Sequence, residues 1–176
     1  MEGNRGDIMA DLQDTYVVHC AQVTCSEGMR GSVIVLQNTH GIYLKQMPMM
    51  TVSDCVENTN IINFGGCYSM ENPSTQKAAE EVQKKVEEEC PDGTIDKIGK
   101  FFCKKKKKEE VSVDNTGELK VLGECCLNLC MGQEWNYGKE QVEADGAKPL
   151  LGGAKLYCVY GGEIEIITSG QPEEGA

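Results

Sequence analysis

The sequence predicts a small all-β domain built from short hairpins, with one inserted α-helix. Three observations carry this expectation. Short apolar or alternating runs recur at roughly ten-residue spacing, the gaps between them carry Gly, Asn and Ser turn signals, and small side chains dominate, with 20 glycines against three phenylalanines and one tryptophan. A length of 176 residues suits one hydrophobic core with decoration, because domains usually run to roughly 100–150 residues.

Taken in order, residues 1–15 are expected to form a flexible N-terminal arm. The segment carries Asp7, Asp11 and Asp14 and lacks the apolar stretch of a secretion signal. The runs Tyr16–Val18, Val33–Leu36, Ile42–Leu44 and Ile61–Ile62 read as short strands. Between them Ser26-Glu27-Gly28, Asn38-Thr39-His40-Gly41 and Asn58-Thr59-Asn60 punctuate the chain as turns of consecutive hairpins, with Gly65-Gly66 following. At Asn72 the character changes. Asn72 is a helix N-cap followed by a proline tolerated in the first turn, and no Gly or Pro interrupts Gln76 to Glu89. A helix is therefore expected over about 74–89. Its thin apolar stripe, Ala78, Ala79, Val82 and Val86, places it on the surface or projecting from it. Pro91-Asp92-Gly93 ends it, and a Lys-rich hairpin or loop over about 95–118 completes an insertion at 74–118.

The strand rhythm returns at Leu119–Leu122, Cys126–Cys130, Gln141–Ala144, Lys155–Tyr160 and Glu163–Thr168. Glu163-Ile164-Glu165-Ile166 alternates cleanly, so one face meets the core and the other water. Gly161-Gly162 supplies a two-residue turn before it, and residues 172–176 form a loose acidic tail. Residues 16–171 thus make one domain.

The composition excludes several functions. A formal net charge of −11 argues against nucleic acid or anionic membrane as partner, since phosphate binding relies on Lys and Arg neutralising charge. The run Lys104–Lys108 is followed by Glu109-Glu110 without interleaved aromatics, as in a solvated hairpin edge. No apolar run approaches the roughly 20 residues of a membrane helix, so stable membrane insertion is not expected. Neither His19 nor His40 stands in a nucleophile–base motif, and Gly152-Gly153 precedes a strand and not a helix, so no phosphate loop forms. A non-enzymatic protein follows. Met47, Met49 and Met50 suit either an adaptable contact surface or core packing.

Ten cysteines in a chain made and folded in a cytosol read as buried apolar thiols or metal ligands more than as disulfides. Oxidation after export is the third reading. A rival functional class is a cytosolic cysteine-based zinc or redox module using Cys125-Cys126 or Cys126 with Cys130, although the acidic neighbours Glu124 and Glu134 oppose the low-pKa thiolate that redox chemistry needs.

Four motifs in order resemble a known family. Y-V-V-H-C-A-Q-V-T-C-S-E-G (Tyr16 to Gly28) looks like an opening strand that ends in a Cys-x-x-Gly turn. T-H-G-I-Y-L-K-Q-M-P-M-M (Thr39 to Met50) resembles the second hairpin. D-C-V-E-N-T-N-I-I-N-F-G-G-C-Y-S-M-E-N-P (Asp54 to Pro73) carries Asn-Ile before Phe-Gly-x-Cys and then Asn-Pro. Trp135, Asp145-Gly146, Pro149-Leu150 and L-Y-C-V-Y-G-G-E-I-E-I-I-T-S-G-Q (Leu156 to Gln171) match the closing pattern. Together they are similar to the PAAR-like proteins of the DUF4280 group over roughly Tyr16 to Pro73 and Leu119 to Gln171. The departures are His19-Cys20 where the family usually has Arg or Gln before Gly, a missing proline-rich stretch, and a longer lysine-rich insertion.

The resemblance implies a β-rich cone or pyramid, pseudo-threefold, capping a trimeric VgrG-like spike of a bacterial contractile injection system (type VI-like or extracellular). It implies effector or toxin cargo carried on the tip, and passage from the bacterial cytoplasm to outside the cell on the apparatus. A delivery head in a toxin system without a contractile sheath would use the same surface. The resemblance also picks out Cys25, Cys67, Cys158 and Cys126, the last nine residues before Trp135, as a possible structural zinc set at the apex, with His40 or Cys125 as substitutes. Thiols acting as small hydrophobes in the core remain the alternative.

Overall fold

The computed structural model describes residues 12–89, 111–113 and 119–172. Lys104–Lys108, residues 1–11 of the arm and residues 173–176 of the tail lie outside them. In chain order the elements are β1 (Gln22–Cys25), β2 (Ser32–Val33), β3 (Tyr43–Leu44), β4 (Met47–Pro48), β5 (Gly66–Cys67), helix α1 (Pro73–Glu89), β6 (Val111–Val113), β7 (Leu119–Val121), β8 (Gly123–Glu124), β9 (Lys155–Tyr157) and β10 (Glu163–Ile166). The domain is all-β with an inserted helix, as the composition and turn spacing predict.

Its centre is a four-stranded antiparallel sheet in the order β2-β1-β10-β9. Val23 pairs with Ile166, so strands from opposite ends of the chain lie side by side. Val23, Leu156, Ile164 and Ile166 turn inward onto Val17, Ile34, Met50, Ile61, Phe64, Trp135 and Leu150. On the other face Lys155 lies between Glu163 and Glu165, with Nζ 2.6 Å from the Glu165 carboxylate. Both sheet edges are covered. Ile62 N–H donates to Val33 O at 3.3 Å beyond β2, while Asn136 accepts from Lys155 N–H at 2.7 Å and Leu129 bridges Cys158 beyond β9. Covered edges protect a short-stranded sheet from pairing with other chains.

The β9–β10 hairpin forms where the alternation places it, but its connection is longer than two residues. Cys158 N–H donates to Gly162 O at 2.8 Å, leaving Val159, Tyr160 and Gly161 as the loop. Gly161 takes a left-handed φ of 81° that a side chain would resist. The first half departs more. Tyr16 and Val18 make only single bridges, to Leu151 and Met49, because the chain turns at Cys20 (φ 69°) and enters the sheet one step later as β1. The second hairpin is closed by Lys45-Gln46, both left-handed (φ 49° and 68°), and not by Asn38 to Gly41. Gln141–Ala144 is not a strand, since Gln141 is itself left-handed (φ 64°) and Ala144 starts a tight turn to Ala147. Cys126–Cys130 keeps strand-like alternation, with Leu127 and Leu129 buried and Cys126, Asn128 and Cys130 exposed, yet pairs only through Leu129.

The helix starts as expected. Asn72 Oδ1 accepts from Ser74 N–H at 3.0 Å, and the Asn72 carbonyl accepts the first helical bond from Gln76 N–H at 3.0 Å. Its base is clamped onto β5 and β8. Asn72 Nδ2 donates to Glu124 O at 2.8 Å, Ser74 Oγ accepts from Glu124 N–H at 3.0 Å, and Thr75 Oγ1 donates to Cys67 O at 2.9 Å. Asn72 and Thr75 are fully buried, whereas Gln76 to Lys85 are exposed or half-buried. The helix thus leaves the body from a fixed base, with Ala78 and Val82 over a shallow groove beside Leu122.

Leu12 to Thr15, expected within the flexible arm, are docked on the body. Gly152 N–H donates to Thr15 O at 2.9 Å and Gly153 N–H to Gln13 O at 3.0 Å. A Cβ on Gly152 would lie 2.3 Å from the Leu12 carbonyl oxygen, so only glycine lets the two backbones meet. Tyr137 donates its hydroxyl to Asp14 at 2.6 Å. Among the described residues no helix is long and apolar enough to cross a membrane.

Candidate functional site

Four separated segments bring cysteines to one place. Cys25 ends β1, Cys67 lies in β5, Cys125 follows β8, and Cys158 opens the β9–β10 turn. Glycines let the segments close. Gly28 bridges Cys67 while its N–H donates to Cys25 O at 3.0 Å, forming the Cys-x-x-Gly turn. A Cβ on Gly162 would fall 2.7 Å from Cys25 Sγ and 3.6 Å from Cys158 Cβ, so this glycine is the seat of the Cys25 sulfur. Cys25, Cys67, Cys125, Cys126 and Cys158 surround, with Phe64, a cavity of about 20 Å³, room for about one water-sized particle.

Burial pushes the Cys25 thiol up to about 11, with the neighbouring thiols Cys158, Cys67 and Cys125 adding to the effect against a hydrogen bond from the Glu27 backbone. Cys125 is raised too, by burial first and then by Cys67, Cys158 and Cys126, against a backbone hydrogen bond at Phe64. Neutral thiols are poor nucleophiles. Cys55 stands apart, its Sγ donating to Gln133 O at 3.2 Å, and burial followed by the charges of Glu134 and Asp54 raises it as well.

Of the set expected from the resemblance, Cys25, Cys67 and Cys158 do converge. Cys126 lines the cavity but is exposed, because the side-chain alternation along 126–130 turns it outward. Cys125, the substitute, is half-buried against the core and interacts with the other three thiols. His40 is not a substitute, since both its ring nitrogens face aspartates elsewhere. A thiolate zinc site needs sulfurs about 2.3 Å from one point in tetrahedral array. Among the described residues no three His, Cys, Asp or Glu stand where they could hold a metal ion. As placed, the sulfurs do not make that array: Cys67 is buried, and Cys25, Cys125 and Cys158 are half-buried around the cavity.

Native-state labelling tests this packing. At pH 7 Cys20, Cys126 and Cys130, all exposed, should alkylate readily, with mass spectrometry counting the sites. Cys25, shifted by about two units, should react on the order of 100-fold more slowly from its thiolate fraction alone. Equal rates at Cys25 and Cys126 would contradict the burial.

A second cluster, His40 with Asp54 and Asp145, had no signal in the sequence. His40 and Asp145 are distant in the chain, and their meeting depends on the turn at 144–147. An Asp-Gly step signals that turn but not what it touches.

A family model for a domain of unknown function, DUF4280, matches residues 17–171. The chain belongs to the DUF4280 family. No curated protein and no solved structure matches it. The limits of the DUF4280 match agree with the packing. Val17 is fully buried at one end, and at the other Gln171 Nε2 donates to Tyr16 O at 2.6 Å, tying the two ends together. The thiol cluster, the base of α1 and the His40 cluster all lie within the DUF4280 domain, while Leu12 to Asp14 dock on it from outside the match.

Proposed function

We propose that this DUF4280 domain is a PAAR-like tip that caps a trimeric VgrG-like spike of a bacterial contractile injection system and links effector cargo to it. What supports the reading is the resemblance of the ordered motifs to PAAR-like proteins, on a chain that the DUF4280 model matches over residues 17–171. Cys25, Gly28, Phe64, Gly66, Cys67 and Cys158 join β1, β5 and the β9–β10 turn around one cavity. A tip works by shape and resistance to deformation. Covered sheet edges and bridges between distant segments, such as Thr51 with Pro149 and Tyr16 with Leu151, suit that role. The exposed length of α1, rising from its clamped base, suits contact with cargo. The upward shifts at Cys25, Cys55 and Cys125 run against a redox role for those three thiols, which would need an accessible, acidic cysteine.

Co-expression with a trimeric VgrG-like spike protein, followed by native mass spectrometry, tests the proposal. The expected species holds one tip chain per three spike chains. Absence of a complex with that spike at micromolar concentration would overturn it.

A further inference from the structure

We propose that His40 is a protonation-controlled latch, which as an imidazolium ties the turn at residues 144–147 to the body and on losing a proton lets that turn go. The inference is independent of the spike-tip reading.

The ring lies between two carboxylates, with Nε2 2.9 Å from Asp54 Oδ2 and Nδ1 3.1 Å from Asp145 Oδ2. A carboxylate only accepts hydrogen bonds, and neutral imidazole has a single N–H. One of the two contacts would then set lone pair against lone pair. Imidazolium, with two N–H donors, satisfies both. The charged groups acting on the ring are Asp54, from the 51–54 turn, and Asp145, from the 144–147 turn. The loop that carries His40, residues 38–42, has no other charge.

The two contacts differ in what holds the aspartate. Asp54 is fixed, its Oδ2 accepting from Thr51 N–H at 2.7 Å and Thr51 Oγ1 at 2.9 Å, and its carbonyl accepting from Trp135 Nε1 at 3.1 Å. Its side chain is 10% exposed, against 70% for Asp145. Asp145 sits in a two-residue left-handed turn with Gly146 (φ 52° and 79°), closed by Ala144 N–H to Ala147 O at 2.8 Å and the reverse bond at 3.1 Å. A neutral His40 therefore keeps its proton on Nε2, facing Asp54, and loses Asp145. The turn walls a groove of about 350 Å³ beside Trp135 and Tyr137, so its release changes that groove.

Partial burial by itself lowers the affinity of the ring for its proton, but the hydrogen bonds to Asp145 and Asp54, and their charges, outweigh it and raise the His40 pKa above the usual 6.5. A group raised in the folded state contributes stability that is complete below its unfolded pKa and lost as pH rises through the folded value. The latch is thus closed in mildly acidic solution and opens on the alkaline side.

Long-range proton–nitrogen NMR of the labelled full chain from pH 5 to 9 reads the charge and tautomer of His40, which backbone assignments separate from His19. The expected result is two protonated nitrogens at low pH and the Nε2–H tautomer above the midpoint. Amide protection at Ala144 and Ala147, corrected for intrinsic exchange, should fall several-fold over the same interval. Asp145→Asn, which suits a left-handed turn, should lower the midpoint and remove the pH dependence of that protection. An unchanged midpoint in Asp145→Asn, or unchanged protection while His40 titrates, would overturn the latch.

Discussion

Phe64→Ala should lower the free energy of unfolding by about 3–5 kcal/mol, the range for removing a fully buried aromatic ring. Phe64 is completely buried, and its side chain walls the thiol cavity with Cys25, Cys67, Cys125 and Cys158. Its Cβ would lie 2.9 Å from a Cβ on Gly28, so the Cys-x-x-Gly turn rests directly on it. Its carbonyl accepts from Arg30 N–H at 3.2 Å and Gly66 N–H at 3.0 Å, which places the ring where the segments carrying Cys25 and Cys67 cross. The truncation leaves a hole that this crossing cannot fill without losing those bonds. A fall in melting temperature of about 10 °C is expected for a chain of this size, with faster labelling of Cys25 and Cys125. A melting temperature within a degree or two of the parent would show that the ring is not a keystone of the core.

The next largest effect is expected at Asp54. Asp54→Ala should cost about 3 kcal/mol, because it strands donors that are themselves shielded from water. Thr51, 1% exposed, would lose the acceptor for both its N–H and its hydroxyl, and His40 would lose its inner partner. Asp54→Asn keeps an oxygen for Thr51 while removing the charge and one acceptor for His40, so its cost should be nearer 1 kcal/mol. Urea denaturation of the two variants separates these contributions. Equal losses would mean that the charge, and not the hydrogen-bonded turn, is what the fold uses.

Local signals were legible wherever the determining residues are adjacent. Asn72-Pro73 marked the start of α1 to within a residue, because capping and the missing proline N–H act within a single turn. The alternation of Glu163 to Ile166 revealed β10 and which of its faces is buried. With the glycine turn before it, it also pointed to β9 as one neighbour, but not to β1 on the other side, a pairing made only by closing the whole chain. β1 was visible only through the motif resemblance, as an opening strand ending in the Cys-x-x-Gly turn at Cys25, and not through periodicity. Its signal is two small inward residues, Ala21 and Val23, and the reversal at Cys20 is a left-handed conformation in a residue that seldom adopts one. For the thiols, motif order selected Cys25, Cys67 and Cys158, but between Cys125 and Cys126 the decision rests on which side of one peptide faces the core. That side follows from Leu127 and Leu129 filling the core, a matter of packing with partners elsewhere in the chain.

The sequence by itself determined that this is a strand-rich DUF4280 chain with a capped helix between its first and last strands. Turn residues, helix caps and side-chain periodicity act over a few residues and need no partner. Tertiary structure alone decided that Leu12 to Thr15 dock on Gly152-Gly153, that Cys125 and not Cys126 faces Cys25, Cys67 and Cys158, and that His40 lies between two aspartates. Each of these depends on segments far apart in the chain reaching van der Waals contact, which only the complete set of long-range contacts fixes.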